Sequence, residues 1–339
     1  MFFDPNDDID SQQIEKVTSW PELENRFLGK WTNEELNTAA REIGNSKIAS
    51  VSLFEGGGNT SISKVRYSDG MEAALKIYSE DGQHDRLYSE YESLCILKKS
   101  EINQVPRPIC FSRQLNIAMY QWFSGESVKH PTKEDLGQAL SFLEQINDIR
   151  KLREWEHFPN ASAAIFSGYQ LEQQFNERLS KLNQYSNKSN GLKNFLVEEL
   201  NPTADKIIQW CKNHWPNGQR YDQMLLGKDR ILSPSDFGFH NALRGSDGRI
   251  LFLDLEYFGW DDPAKLIGDF ILHPAMNLSN ELKTNWIEGS ERLFGSDAIV
   301  RVKVMWPLLG LCWCLMLLNV YRRDIWARRV LAQSSIGSE

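Results

Sequence analysis

Three oxygen-bearing side chains, Asp236, Asn241 and Asp254, stand within one stretch, Ser233–Asp262 (SPSDFGFHNALRGSDGRILFLDLEYFGWDD). Asn241 follows Asp236 by five positions, and Asp254 closes an apolar run. Hard oxygen donors of this kind suit a divalent cation; magnesium takes one or two carboxylates, keeps several waters and shares substrate phosphates. The chemistry that fits is phosphoryl transfer from ATP, with Asp236 near an acceptor hydroxyl and Asn241 and Asp254 on Mg2+. Asp236 and Asn241 are also ordinary turn formers, and a strand-end aspartate can be capped by backbone amides. The third group, a carboxylate on an otherwise apolar strand, favours the ligand set.

The elements that must position these groups can be read around them. Gly245-Ser246-Asp247-Gly248 is a turn signal, so the stretch reads as loop, short strand, hairpin turn and second strand. In that second strand Leu251, Leu253 and Leu255 alternate with Phe252, Asp254 and Glu256, and a period of two predicts both carboxylates on one face.

The N-terminal half has its own pattern. Thr32-Asn33-Glu34-Glu35 resembles a capping box opening a short helix that Gly44 closes. KIASVSLF, ISKVRY and EAALKIY then predict three antiparallel strands, the last two joined by the turn Ser68-Asp69-Gly70. The first turn is a small-residue loop containing Gly56, Gly57, Gly58, Asn59, Thr60 and Ser61, which can form an anion-binding concavity or serve only as a turn. Lys76 lies on the third strand. The next helix, about 85–98, has an apolar stripe of Leu87, Tyr91, Leu94 and Leu97, and Glu90 falls on it. A carboxylate aimed at a core is costly unless paired, and Lys76 is the nearest candidate cation, although Glu90 could also face water. Arg86 and Glu92 fall off the stripe and are expected in solvent. Two further strands, ICFSR and NIAMYQWF, lead to Tyr120–Phe123, where Gln121 and Trp122 could meet an adenine or belong to the core.

Composition excludes several classes. At 41% hydrophobic and 25% charged the chain is globular rather than disordered, and a net charge of −8 argues against nucleic-acid binding. The five cysteines are odd in number and scattered in apolar surroundings, as reduced cytoplasmic core residues would be. The N-terminus is acidic and lacks a secretory pattern. Val304–Tyr321 is uncharged but short for a span and is expected to be a buried helix, so no membrane insertion is expected.

Taken in order, the Gly-rich hairpin, strand lysine, helix glutamate, linker, Asp-x4-Asn and strand aspartate resemble the protein-kinase-like fold. In detail, SDFGFHN and LDLEYFGWDDP are similar to the H-G-D-x-x-x-x-N and D-x-E-Y-x-G-x-x-D-P motifs of the aminoglycoside phosphotransferase and choline kinase group. The resemblance covers roughly residues 45–320. It implies an α+β, bilobal fold: a small antiparallel sheet with one helix as the N-lobe, and a larger, mainly helical C-lobe. It implies that Lys76 holds the α- and β-phosphates and Glu90 orients it, that the 56–61 loop covers the phosphates, and that 120–123 is the hinge. Asp236 would be the catalytic aspartate, and Asn241 and Asp254 the magnesium ligands.

Two departures stand out. Pro234-Ser235 replaces the group's His-Gly, so the histidine that braces the loop is missing; His240 is expected to pack or support rather than act as a base. The aspartate expected at position 266 is leucine, with Asp269 three residues on, either bracing the loop or capping local backbone.

The sequence thus predicts an extension with a short helix at 1–44, a nucleotide-binding lobe at 45–124 and a helical lobe at 125–339 that holds the catalytic loop, metal site and acceptor site. C-lobe helices are expected at about 134–154, 162–184, 192–214 and 304–321. Candidate acceptor-site residues are Tyr169, Glu172, Gln173, Arg178, Trp260, His273 and Arg322, while Met305, Trp306, Trp313 and Met316 are expected in the core. The expected activity is ATP- and Mg2+-dependent transfer to a hydroxyl of a sugar, amino alcohol or aminoglycoside. A nucleotide-sensing pseudokinase is the alternative; a protein kinase is disfavoured because no activation segment is recognisable.

Overall fold

The computed structural model describes residues 33–44, 47–54, 61–78, 84–186, 189–216, 218–322 and 325. The chain divides into two compact units, one comprising Met1–Asp81, Ile109–Trp122 and Leu318–Glu339, the other Gly82–Pro108 and Phe123–Leu317.

The first unit is built on an antiparallel sheet. Helix α1 (Asn33–Gly44) precedes β1 (Ile48–Phe54), β2 (Ser61–Tyr67) and β3 (Glu72–Ile77), and β4 (Pro108–Ser112) and β5 (Ile117–Gln121) complete the order β1-β2-β3-β5-β4. Leu36, Ala39 and Ala40 recur at helical spacing on α1 and pack with Ile48, Val65, Ala73, Leu75, Ile117 and Met119 into one buried cluster. Gly44 ends α1 where a side chain has no room: a Cβ there would lie 2.9 Å from Met119 Sδ and 3.1 Å from Tyr67 Oη. The predicted β2–β3 turn is present, with Gly70 at φ 87° and Asp69 accepting from the Met71 amide at 3.0 Å. Thr32 of the expected capping box lies outside the described residues.

The second unit opens with α2 (Arg86–Lys99), whose first turn is capped by Asp85 accepting from Tyr88 N at 2.9 Å. There follow β6 (Glu126–Ser127), α3 (Lys133–Ile149), α4 (Gly168–Ser186), α5 (Asn190–Asn194) and α6 (Asn201–His214). The short strands β7 (Ile231–Ser233), β8 (Ala242–Arg244), β9 (Ile250–Phe252) and β10 (Gly259–Asp261) come next. Helices α7 (Pro263–Leu272), α8 (Asn280–Phe294) and α9 (Ser296–Leu317) complete the unit. β10 pairs with β7, and β6-β8-β9 form a second small sheet. Four of the helices match the sequence pattern; α7 and α8 add to it, with Phe270 of α7 stacked on Trp286 of α8 at 3.6 Å between ring centroids.

Among the described residues, Ser296–Tyr321 alone is long and apolar enough to cross a membrane by length and composition. Within its unit α9 packs on α4, α6, α7 and α8. It carries Arg301, only 3% exposed, whose guanidinium pairs with Asp262 at the start of α7. That buried pair ties the helix to the unit's interior.

Candidate active site

The loop between β7 and β8 places buried apolar anchors between less buried polar groups. Phe237 and Phe239 are buried; Phe237 packs against Phe142, Phe252 and Phe270, and Phe239 donates its backbone N–H to Met276 Sδ at 3.0 Å. Asp236 and His240 flank these anchors and are less completely buried. The Asp236 side chain is 39% exposed, open enough to meet a substrate. Ser235 sits at φ 67°, in the left-handed region that favours glycine, at the position where the related motif carries glycine. Two hydrogen bonds hold it there: its amide donates to Ser233 Oγ at 3.0 Å and its hydroxyl to the Ser162 carbonyl at 3.2 Å. Strain retained beside a reactive group is a common feature of active sites.

Both carboxylate oxygens of Asp236 have partners. His240 Nε2 lies 3.1 Å from Oδ1, and Asn241 Nδ2 donates to Oδ2 at 3.3 Å and to the Asp236 carbonyl at 3.0 Å. Burial pushes the Asp236 carboxyl up, but the bond and charge of His240, the His273 charge and the Asn241 bond outweigh it, and the net position lies below the usual range. His240 in turn stacks on His273, with centroids 3.7 Å apart and planes 7° apart. Burial, then the neighbouring His240, push His273 down to about 4.

A hydrogen bond from Leu253 N to the Asn241 carbonyl (2.8 Å) sets the backbone just before Asp254 beside Asn241. With Nδ2 spent on Asp236, Asn241 keeps Oδ1 as the atom for a cation. The strand β9 ends at Phe252, and Asp254 lies beyond it at φ 62°. The expected in-strand alternation of Asp254 with Glu256 is therefore wrong, since a left-handed residue breaks the period of two. The two carboxylates nonetheless converge, together with Glu90 of α2: their oxygens lie within 4.8 Å of one another. This is the oxygen-rich donor chemistry that magnesium takes, so the residues fit such an ion.

Arg86 corrects another expectation. It is buried rather than solvated, with Nη1 3.3 Å from Glu256 Oε1, while His84 contacts the Glu256 carbonyl at 3.1 Å. Helical periodicity placed Arg86 off the apolar stripe of α2 but could not show that a buried carboxylate from another element lies there.

In the sheet unit, Lys76 is 5% exposed on β3, with its ammonium 5.2 Å from the Tyr78 ring, and the Tyr78 and Tyr120 hydroxyls are 2.6 Å apart. Lys76 and Glu90 belong to different units. Gln121 is exposed at the end of β5. The Trp122 amide donates to the Glu72 carbonyl at 3.4 Å, and its ring lies 4.5 Å from the Lys64 ammonium. Gly56, Gly57, Gly58, Asn59 and Thr60 lie outside the described residues, and Ser61 opens β2.

The sequence suggested a supporting role for His240 and a brace or local cap for Asp269, but not that His273 and Trp313 join the two. Trp313, expected in the core, is only partly buried; it meets His273 edge-on at 4.8 Å and donates from Nε1 to Asp269 Oδ1 at 2.8 Å. Asp269 is held by Lys265 at 2.7 Å. The signals available were His240 four residues after Asp236 and Gly238 between them, where a Cβ would lie 2.8 Å from His240 Nδ1. Two candidate acceptor residues are engaged elsewhere: the Trp260 indole donates to the Trp155 carbonyl (3.1 Å), and Glu172 pairs with Lys212 (3.0 Å).

A model of the phosphotransferase enzyme family matches residues 50–301. The chain belongs to the phosphotransferase enzyme family. As a member it is a small-molecule phosphotransferase, and its fold is that of the kinase-like proteins. Solved structures agree on that fold. Plasmodium vivax ethanolamine kinase is 14% identical, with a TM-score of 0.58 over 95% of this chain and 93% of its own. Choline kinase from Cryptosporidium parvum is 14% identical, with a TM-score of 0.57 over 90% and 94%. A spectinomycin phosphotransferase in complex with ADP and spectinomycin is 12% identical, with a TM-score of 0.60 over 91% and 95%. No curated protein sequence matches the chain.

Proposed function

We propose that this phosphotransferase uses ATP with magnesium and phosphorylates a hydroxyl of a small molecule such as an amino alcohol, aminoglycoside or sugar. The observation that carries the reading is the set of Asp236, Asn241 and Asp254, tied together by the Asn241 bonds to Asp236 and the Leu253–Asn241 backbone bond. The ethanolamine kinase, choline kinase and spectinomycin phosphotransferase among the structural neighbours support the acceptor class, and the ADP in the last supports the nucleotide.

In the proposed reaction the acceptor oxygen attacks the γ-phosphorus, the bond from that phosphorus to the bridging oxygen of ADP breaks, and the hydroxyl proton passes to Asp236. The lowered position of the Asp236 carboxyl keeps it ionised and able to accept that proton at neutral pH. Asn241 and Asp254 would hold magnesium, with Glu90 and Glu256 adding negative charge beside Asp254. When bound, the ion would neutralise charge on the phosphates. Lys76 would hold the α- and β-phosphates with Glu90 orienting it, the 56–61 loop would cover them, and Gln121 and Trp122 would flank the adenine. The five free thiols suit a reducing cytoplasm.

ATP consumption measured with and without a panel of small alcohols, sugars and aminoglycosides tests this reading. Acceptor-dependent turnover is the expected result. Firm nucleotide binding with no turnover on any acceptor would instead indicate a sensing role.

A further inference from the structure

We infer that His240 is the positioning residue of the catalytic aspartate, taking over from four residues downstream the bracing that Pro234 and Ser235 cannot provide. The inference rests on Asp236 being the catalytic group proposed above.

A carboxylate on a short side chain turns easily about its terminal torsion, because that torsion has broad wells. One hydrogen bond leaves the rotation largely free; separate donors on the two oxygens stop it. Asp236 has this arrangement, with His240 Nε2 at 3.1 Å from Oδ1 and Asn241 Nδ2 at 3.3 Å from Oδ2. Asn241 alone could not hold the plane, and its amide is also the proposed metal ligand. The second donor therefore falls to the imidazole.

A positioning group must itself be fixed, and His240 is confined on several sides. Its side chain is 12% exposed. Gly238 lies so close that a Cβ there would come within 2.9 Å of both Nδ1 and Cε1 of the ring. His273 covers one face at 3.7 Å. His273 is pinned in turn: its Nδ1 accepts the Ala275 amide at 3.2 Å, which places its proton on Nε2, and Trp313 meets it edge-on. Trp313 is tied through Asp269 to Lys265, which is also 3.6 Å from the buried Asp261. The displaced Asp269 thus reaches the catalytic loop through two aromatic rings.

Asp236, His240 and His273 also offer ligand atoms within 4.8 Å of one another, a spacing open to a metal ion. The ring geometry opposes this. A metal lies in the plane of each imidazole that binds it, and planes 7° apart with centroids 3.7 Å apart share no such position close by.

The test uses the full chain and Mg-ATP hydrolysis, with water as acceptor. His240→Phe keeps a ring against His273 but removes the N–H, while His240→Gln retains a donor at comparable reach. His240→Phe should lower kcat by about 100-fold with KM for ATP within about twofold of wild type, and His240→Gln should recover most of the loss. Unchanged kcat in His240→Phe, or equal losses in both variants at matched Tm, overturns the inference. Undiminished hydrolysis in Asp236→Asn overturns instead the catalytic reading of the site. Nitrogen-15 NMR of the His240 ring in the nucleotide-free protein gives a result independent of turnover. The proton is expected on Nε2; finding it on Nδ1, with Nε2 bare, sinks the proposal.

Discussion

The backbone N–H of Leu253 donates to the carbonyl of Asn241 at 2.8 Å, and this bond sets the residue before Asp254 against the second proposed magnesium ligand. Two ligands held by backbone do not need the ion to find each other. Removing one should therefore affect the metal more than the fold. Asp254→Ala is expected to weaken magnesium-dependent nucleotide binding by about 10- to 100-fold with little change in Tm. Calorimetry showing unchanged affinity would count against the metal assignment.

Asp236→Asn keeps an acceptor oxygen and the shape of the side chain but removes the proposed base. Turnover is expected to fall by about 10³-fold while nucleotide affinity stays within about twofold. Because the wild-type carboxyl is held below the usual range, activity should persist to lower pH than an ordinary aspartate would allow. Acceptor phosphorylation surviving the substitution would remove Asp236 from its role.

His273, pushed down to about 4, links stability to pH. Between that value and the ordinary histidine value near 6.5, the unfolded chain binds a proton that the folded chain refuses. This contribution makes stability fall as pH drops through that window, approaching about 3 kcal/mol at its lower end. Urea unfolding of His273→Phe across pH 4–6.5 should show a flatter profile than wild type. Parallel profiles would mean that the imidazole is not held neutral.

Asp261 carries the opposite sign. Burial pushes its carboxyl up to about 7, against the opposing charge of Lys265 and two backbone N–H donors. From about pH 4 to 7 the folded chain keeps a proton that the unfolded chain releases, so this group makes stability decline as pH rises. Asp261→Asn should be relatively more stable at pH 8 than at pH 4, with Lys265 still paired to Asp269 at 2.7 Å. A larger stability deficit at pH 8 would contradict the assignment.

Arg86 and Glu256 form a buried pair, at 8% and 1% exposure. Truncating one member of such a pair leaves the other charge buried, at a cost of about 3–5 kcal/mol. Here the charge left behind sits in the carboxylate group with Glu90 and Asp254. Arg86→Met should lower Tm accordingly, and magnesium should restore part of the loss. A Tm within a degree or two of wild type would show that the pair contributes little.

Much of this molecule is legible in its sequence because local physics suffices for it. Alternation and turn residues mark β1 to β3, and Ser68-Asp69-Gly70 and Gly245–Gly248 form the turns their chemistry requires. Glu90 lies on the apolar stripe of α2 and is buried there, as helical spacing indicates. The order and spacing of the lysine, glutamate, aspartates and asparagine were enough to point to the family.

Tertiary structure alone decided which groups meet. Arg86 pairs with a carboxylate 170 positions away, and Trp313 reaches Asp269 across 44. Periodicity says which face of an element a residue occupies, and is silent about what the opposite element presents there. Asp254 shows the limit most directly: its left-handed backbone takes it out of the strand's period, and the convergence of three carboxylates comes from packing. The same holds for His240, whose ring is fixed by His273 and a glycine contact that no spacing rule contains.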